Sequence, residues 1–150
     1  AGFPQLPMDE WKKTQAALAS GLNPIVCVGE RLEEREAGAT ESVLRTQFSG
    51  GIGALTPEQF AKIVIAYEPV WAIGTGKTAT PEMAADAHRV LRAEVAQRYG
   101  QAAAAACRIL YGGSVKPDNV KGLMAQEEID GALVGGASLD PASFAAIVNY

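Results

Sequence analysis

The sequence predicts an α/β fold built on a parallel sheet, and three observations carry that prediction. Four short apolar runs are continuous rather than alternating, as in strands buried on both faces. Each run ends in glycine or a polar residue. Helical stretches separate the runs, and strands alternating with helices imply parallel pairing through right-handed crossovers.

The elements follow in chain order. Met8–Ser20 puts Trp11, Leu18 and several alanines on a helical period, and Gly21 suits its C-terminal cap. Ile25–Val28 is the first strand, closed by Gly29-Glu30. The charged run Arg31–Glu36 reads as a solvated loop and helix start. Thr40–Phe48 follows, with Val43, Leu44 and Phe48 on one face. Ile63–Tyr67 is the second strand and ends at Glu68-Pro69. Thr80-Pro81-Glu82 opens a helix, with Thr as N-cap and Pro in the first turn. That helix runs to Tyr99, where Gly100 stops it, and Met83, Ala87, Val90 and Leu91 face inward. The alanine run Ala102–Ala106 reads as a loop or helix end leading to the third strand, Arg108–Tyr111. Lys116–Gln126 is a helix with an early proline, Ala132–Val134 the fourth strand, and Pro141–Val148 the last helix.

Two architectures fit this order: an open doubly wound sheet, or part of a closed (β/α)8 barrel. Length alone favours the open sheet, because the chain has 150 residues and a full barrel needs about 250. No low-complexity linker divides the chain, so one domain with a real core is expected.

Composition narrows the partners. Hydrophobic residues make up 48% and charged residues 20%, ordinary for a soluble globular protein. The net charge is −4 with both signs interspersed, which argues against nucleic acid. No apolar run approaches a membrane span, and Ala1–Pro7 lacks the layout of a signal peptide. Cys27 and Cys107 each lie in an apolar, β-branched run and are expected as buried free thiols, in keeping with a reducing cytoplasm.

The glycine-rich segment after the second strand needs weighing. Gly76-Lys77-Thr78 fits the end of a P-loop, but Trp71 stands where the first glycine must be. Gly74-x-Gly76-x-x-Ala79 resembles a dinucleotide fingerprint, yet an eleven-residue loop, Pro69–Ala79, precedes the helix cap. No cofactor is expected. The better reading takes Ala66-Tyr67-Glu68-Pro69-Val70-Trp71-Ala72-Ile73-Gly74-Thr75-Gly76 as one unit. A carboxylate at the C-terminal end of a strand stands where β/α barrels place their chemistry. Val70, Trp71 and Ile73 make an apolar loop, which is costly in water unless it closes over something. A base beside such a lid suits proton abstraction in a dry site. Against this, Glu68 read by local pattern alone is equally well a solvated carboxylate at a strand end.

Other polar residues stay structural. Glu30 is expected as a buried or paired carboxylate supporting the site. His88, the only histidine, lies mid-helix beside Arg89 and is expected at the surface; alone it makes no metal site.

Four segments in order resemble the triosephosphate isomerase family: Ile25-Val26-Cys27-Val28-Gly29-Glu30, the Glu68 segment, Tyr111-Gly112-Gly113-Ser114-Val115, and Leu133-Val134-Gly135-Gly136-Ala137. The resemblance covers residues 8–150 and implies the TIM barrel fold, here four parallel strands with flanking helices forming its C-terminal half. Residues 1–7 do not resemble what precedes that helix in the family. The resemblance implies Glu68 as general base, moving a proton between adjacent carbons of a triose phosphate. It implies Pro69–Ala79 as the lid, with Val70, Trp71, Ile73, Thr75, Gly76, Lys77 and Ala79. Gly74, Ser114, Gly135 and Gly136 would hold the phosphate, largely through backbone N–H groups, while Tyr111 and Ser114 would latch the lid. The family's first half supplies an Asn-x-Lys at the end of its first strand and a Gly-His-Ser on its fourth; no strand here ends in either motif, and Asn119-Val120-Lys121 falls in a predicted helix. Two expectations follow: an isomerase whose missing half another chain supplies or this sequence leaves out, or an inactive half-barrel that binds phosphate or is merely structural. The partner expected is a triose phosphate with a homo-oligomer or a complementing N-terminal half.

Overall fold

The computed structural model describes residues 7–150, so most of the atypical segment 1–7 lies outside the described residues. Four strands form one sheet in the order β1-β2-β3-β4: β1 Ile25–Val28, β2 Val64–Tyr67, β3 Ile109–Tyr111 and β4 Gly131–Ala132. All pairings are parallel, with Cys27, Ala66, Leu110 and Gly131 in one row and Val28, Tyr67, Tyr111 and Ala132 in the next. Sequential parallel order is what a segment of a barrel requires; an open doubly wound sheet would reverse direction from a central strand.

The helices are α1 Pro7–Ala19, α2 Leu32–Glu36, α3 Thr40–Gln47, α4 Pro57–Phe60, α5 Pro81–Tyr99, α6 Gln101–Ala106, α7 Val120–Met124 and α8 Pro141–Val148. Thr80 caps α5 as its type predicts, its hydroxyl accepting from the Met83 N–H at 3.1 Å. Gly100 separates α5 from α6 at φ 94°, so the alanine run is helix rather than loop. Thr56 and Gln59 form a reciprocal capping box on α4, which the sequence reading passed over.

Three expectations need correction. The helix placed at Lys116–Gln126 forms only over Val120–Met124, because Asn119 instead ties the preceding turn: its Oδ1 accepts from the Lys116 N–H and its Nδ2 donates to the Ser114 carbonyl. The fourth strand is Gly131–Ala132 rather than Ala132–Val134, although the Leu133 N–H still donates to the Tyr111 carbonyl at 2.9 Å. β1 is not buried on both faces: Val26 and Val28 are buried, whereas Ile25 and Cys27 are exposed. Cys27 is therefore an open thiol, while Cys107 is buried as expected.

The core lies between the sheet and its helices, around Leu44, Phe48, Ile52, Ile65, Leu91 and Ile109. Its outer wall is closed by polar ties. Tyr99 stacks on Phe60 and donates its hydroxyl to the carbonyls of Ile52 and Leu55. Arg92 reaches Glu128, Asp130 and the Cys107 carbonyl.

Candidate active site

The C-terminal ends of the strands are fixed as a staircase. The Glu68 N–H donates to Val28 O at 2.7 Å, the Gly112 N–H to Tyr67 O at 2.8 Å, and the Leu133 N–H to Tyr111 O at 2.9 Å. Each residue just past a strand is thereby held against its neighbour, and the loops that follow enclose a cleft of about 800 Å³.

Glu68 stands in that cleft, partly buried. Desolvation raises its pKa above the usual carboxylate value, and a hydrogen bond from the Cys27 thiol works in the opposite direction. Desolvation and then the Glu68 charge push the Cys27 thiol up to about 12. Because Cys27 is exposed, the neighbouring charge is the contribution that survives contact with water.

Two glycines exist to let this base approach. A side chain at Gly29 would place its Cβ 1.8 Å from the Glu68 carbonyl oxygen. At Gly112 it would lie 2.5 Å from the Glu68 Cγ. The first contact is backbone and admits no substitution; the second involves a side chain that can move. Gln47 adds a clamp, its amide bonding both the N–H and the carbonyl of Gly29.

Glu30 is fully buried and behaves differently. Its Oε1 accepts from Arg35, from the Tyr67 hydroxyl and from the Trp71 indole N–H, each at 3.0 Å. This confirms a buried, paired carboxylate. It also ties the stem of the lid, since the Val70 N–H donates to the Glu30 carbonyl and the Arg35 guanidinium lies over the Trp71 ring.

Within Pro69–Ala79, Val70–Ala72 form a 3-10 turn. Trp71 and Ala79 are buried, whereas Val70 and Ile73 are exposed. Gly74 and Gly76 take positive φ of 67° and 77°, and Thr75 donates its hydroxyl to the Trp71 carbonyl. Ile73 and Gly74 reach the cleft; Val70, Trp71, Thr75, Gly76, Lys77 and Ala79 do not line it. Tyr111 is fully buried, and its hydroxyl has no hydrogen-bond partner among the described residues. Burial raises its pKa, with the Ala79 backbone acting the other way. Among the described residues neither the Tyr111 nor the Ser114 hydroxyl meets hydrogen-bond geometry with the lid, although Ala79 is the lid residue nearest in effect to Tyr111.

Across the cleft from Glu68 lie Ser114, Gly135 and Gly136, so the residues expected to hold phosphate converge with the expected base. Nothing lies within 4 Å of where a Cβ would stand at Gly135 or Gly136, which leaves room for a ligand beside both backbones. Lys116, Leu133 and Val134 also line the cleft and were not singled out from sequence. Gly112 and Cys27 were quoted but given no role; pairing of β1, β2 and β3 in register is the signal that brings them to Glu68.

His88 is not at the surface. It is fully buried, edge-on to Tyr67 with ring centroids 5.8 Å apart, and its Nδ1 lies 3.1 Å from the Glu128 carbonyl. Burial lowers its pKa to about 4. α5 is packed between the sheet and α3, and position 88 falls on its covered side.

Comparison with known proteins matches residues 9–150 to the family profile described as triosephosphate isomerase. A triosephosphate isomerase of Solibacter usitatus is 70% identical over 139 residues, covering 93% of this chain and 56% of that protein. Those of Citrifermentans bemidjiense and Geotalea uraniireducens are 61% and 58% identical, each covered over 55% of its length. The chain spans about half the length of the curated relatives it matches.

Proposed function

Because the chain belongs to the triosephosphate isomerase family, we propose that residues 8–150 form the C-terminal half of a barrel that interconverts dihydroxyacetone phosphate and glyceraldehyde 3-phosphate. The observation that carries this reading is the convergence of Glu68 with Ser114, Gly135 and Gly136 on one cleft.

Glu68, ionised, takes a proton from one substrate carbon and returns it to the neighbouring carbon through an enediolate. The backbone N–H groups of Gly74, Ser114, Gly135 and Gly136 hold the phosphate, since amides unobstructed by side chains suit a dianion. Pro69–Ala79 closes over the bound substrate, a gating motion for which this family is a standard illustration. Tyr111 and Ser114 latch that closed state. Lid closure removes water and strengthens the base's electrostatic environment.

The electrophile that polarises the substrate oxygens comes from outside these residues, from a complementing N-terminal half, and the enzyme acts in the cytoplasm. No helix among the described residues is long and apolar enough to cross a membrane. A second reading, phosphate binding without turnover, is favoured for the chain alone by the burial of His88, the only histidine present.

The test is Glu68→Asp in an assembly that turns over triose phosphate. Retracting the carboxylate by about 1 Å is expected to lower kcat on the order of a hundredfold with little change in KM. A coupled isomerase assay giving kcat within a few-fold of the parent removes Glu68 from this role.

A further inference from the structure

Lys116 is the only basic residue lining the cleft, and its lining also includes two carboxylates, Glu68 and Asp118. Without Lys116 the wall facing a bound anion would carry only negative side-chain charge. Lys116 is exposed and makes no ion pair among the described residues. By contrast, Arg35, Arg45, Arg89 and Arg92 are each committed to carboxylates. Its position is held: the Lys116 N–H donates to Asn119 Oδ1 at 2.8 Å, and Asn119 returns a bond to the Ser114 carbonyl at 2.9 Å. The turn therefore holds the Lys116 backbone two residues beyond Ser114, in the wall of the cleft that Gly135 and Gly136 also line.

We propose that Lys116 is a further phosphate-binding residue, supplying this chain's own cation to a doubly charged phosphate seated on the backbone donors of Ser114, Gly135 and Gly136. The inference rests on the phosphate-site reading above. Backbone amides orient an anion but carry no net charge, so the two carboxylates in the wall oppose binding unless a cation offsets them. An exposed lysine acts through solvent, and its effect is modest and screened by salt.

Inorganic phosphate titrated into the 150-residue chain, followed by 31P NMR, tests this. Lys116→Met is expected to weaken binding roughly three- to tenfold at low ionic strength. The difference should shrink toward nothing at about 1 M salt. Lys116→Arg should restore affinity, and Lys121→Met, a neighbouring exposed lysine outside the cleft, should leave it unchanged. Far-ultraviolet circular dichroism and melting profiles of all variants should coincide. Affinity of Lys116→Met within twofold of the parent overturns the proposal and leaves the phosphate site standing. A loss that survives high salt, that arginine fails to restore, or that Lys121→Met reproduces also overturns it. No phosphate bound by the parent chain overturns the proposal together with the reading beneath it.

Discussion

Glu30 and Glu68 both follow a strand of the same sheet, one two residues beyond β1 and the other directly after β2, yet they meet opposite fates. Glu30 is wholly buried and spends one oxygen on three donors, Arg35, Tyr67 and Trp71. Glu68 is partly buried, opens on a cleft, and has a thiol for its polar neighbour. A carboxylate surrounded by fixed donors is a fastener. One held by its backbone and open on a cleft is available for chemistry. Strand-end position alone does not tell these apart; the neighbours do.

Breaking the fastener should produce the largest effect. Glu30→Ala leaves the Tyr67 hydroxyl and the Trp71 N–H buried without a partner, while Arg35, partly exposed, can regain water. We expect a loss of about 3 kcal/mol in urea unfolding. A loss below about 1 kcal/mol would show that the network contributes little.

Acid separates the two sites next. His88 packs behind the Glu30 network against Tyr67, and Glu128, Asp130 and Arg92 face it. Its pKa is lower in the folded state than in the unfolded chain, so its contribution is complete above about 6.5 and is lost as pH falls toward about 4. At about 1.4 kcal/mol per pH unit this amounts to at most about 3 kcal/mol. His88→Asn should flatten that part of the stability–pH curve, and an unchanged slope would place the acid sensitivity elsewhere.

Crowding the base is the third test. Gly112→Ala puts a methyl against the Glu68 Cγ, and the carboxylate must turn aside. Turnover should fall roughly tenfold, with about 1 to 2 kcal/mol lost in stability, because the clash at the Glu68 Cγ forces the whole half-buried side chain to rotate. A stability loss without a kinetic one would reverse that assignment.

The smallest effect belongs to Cys27. In the role proposed for it Glu68 acts only when ionised, and its raised pKa shifts the acid limb of activity upward. In stability the sign is opposite to that of His88: the folded state binds this proton more tightly, so the contribution is full at low pH and is lost as pH rises through the folded pKa. Cys27→Ala removes the thiol contribution that lowers that pKa, so the acid limb should move up. A downward move would refute the thiol's role.

Much of this was legible in the sequence, for identifiable reasons. The span of β1 and the capped start of α5 followed from apolar continuity and cap chemistry, which are local signals; the sequential strand order came with the family resemblance. Burial depends on what lies across the sheet, and there local reading failed. Ile25 and Cys27 sit in an apolar run but face away from the helices. His88 has polar sequence neighbours but falls on the covered side of α5. The convergence of Glu68 with Ser114, Gly135 and Gly136 came through motif resemblance, whereas Gly112 and Lys116 needed coordinates, because their importance is a distance.

Gly100, breaking the helical run between α5 and α6, also divides the chain by task. The proposed base and lid, Gly74 included, lie before it; Ser114, Gly135 and Gly136, the other residues proposed to hold phosphate, lie after it. Strands adjacent in space are adjacent in sequence, so one crossover at this glycine exchanges the second group intact. Recombination between relatives at that point would shuffle anion preference and proton transfer as separate inheritable parts. The β2–β3 seam, where Gly112 meets Glu68, would have to be matched between parents, and so would the α5 side chains His88 and Arg92 with Glu128, Asp130 and the Cys107 carbonyl.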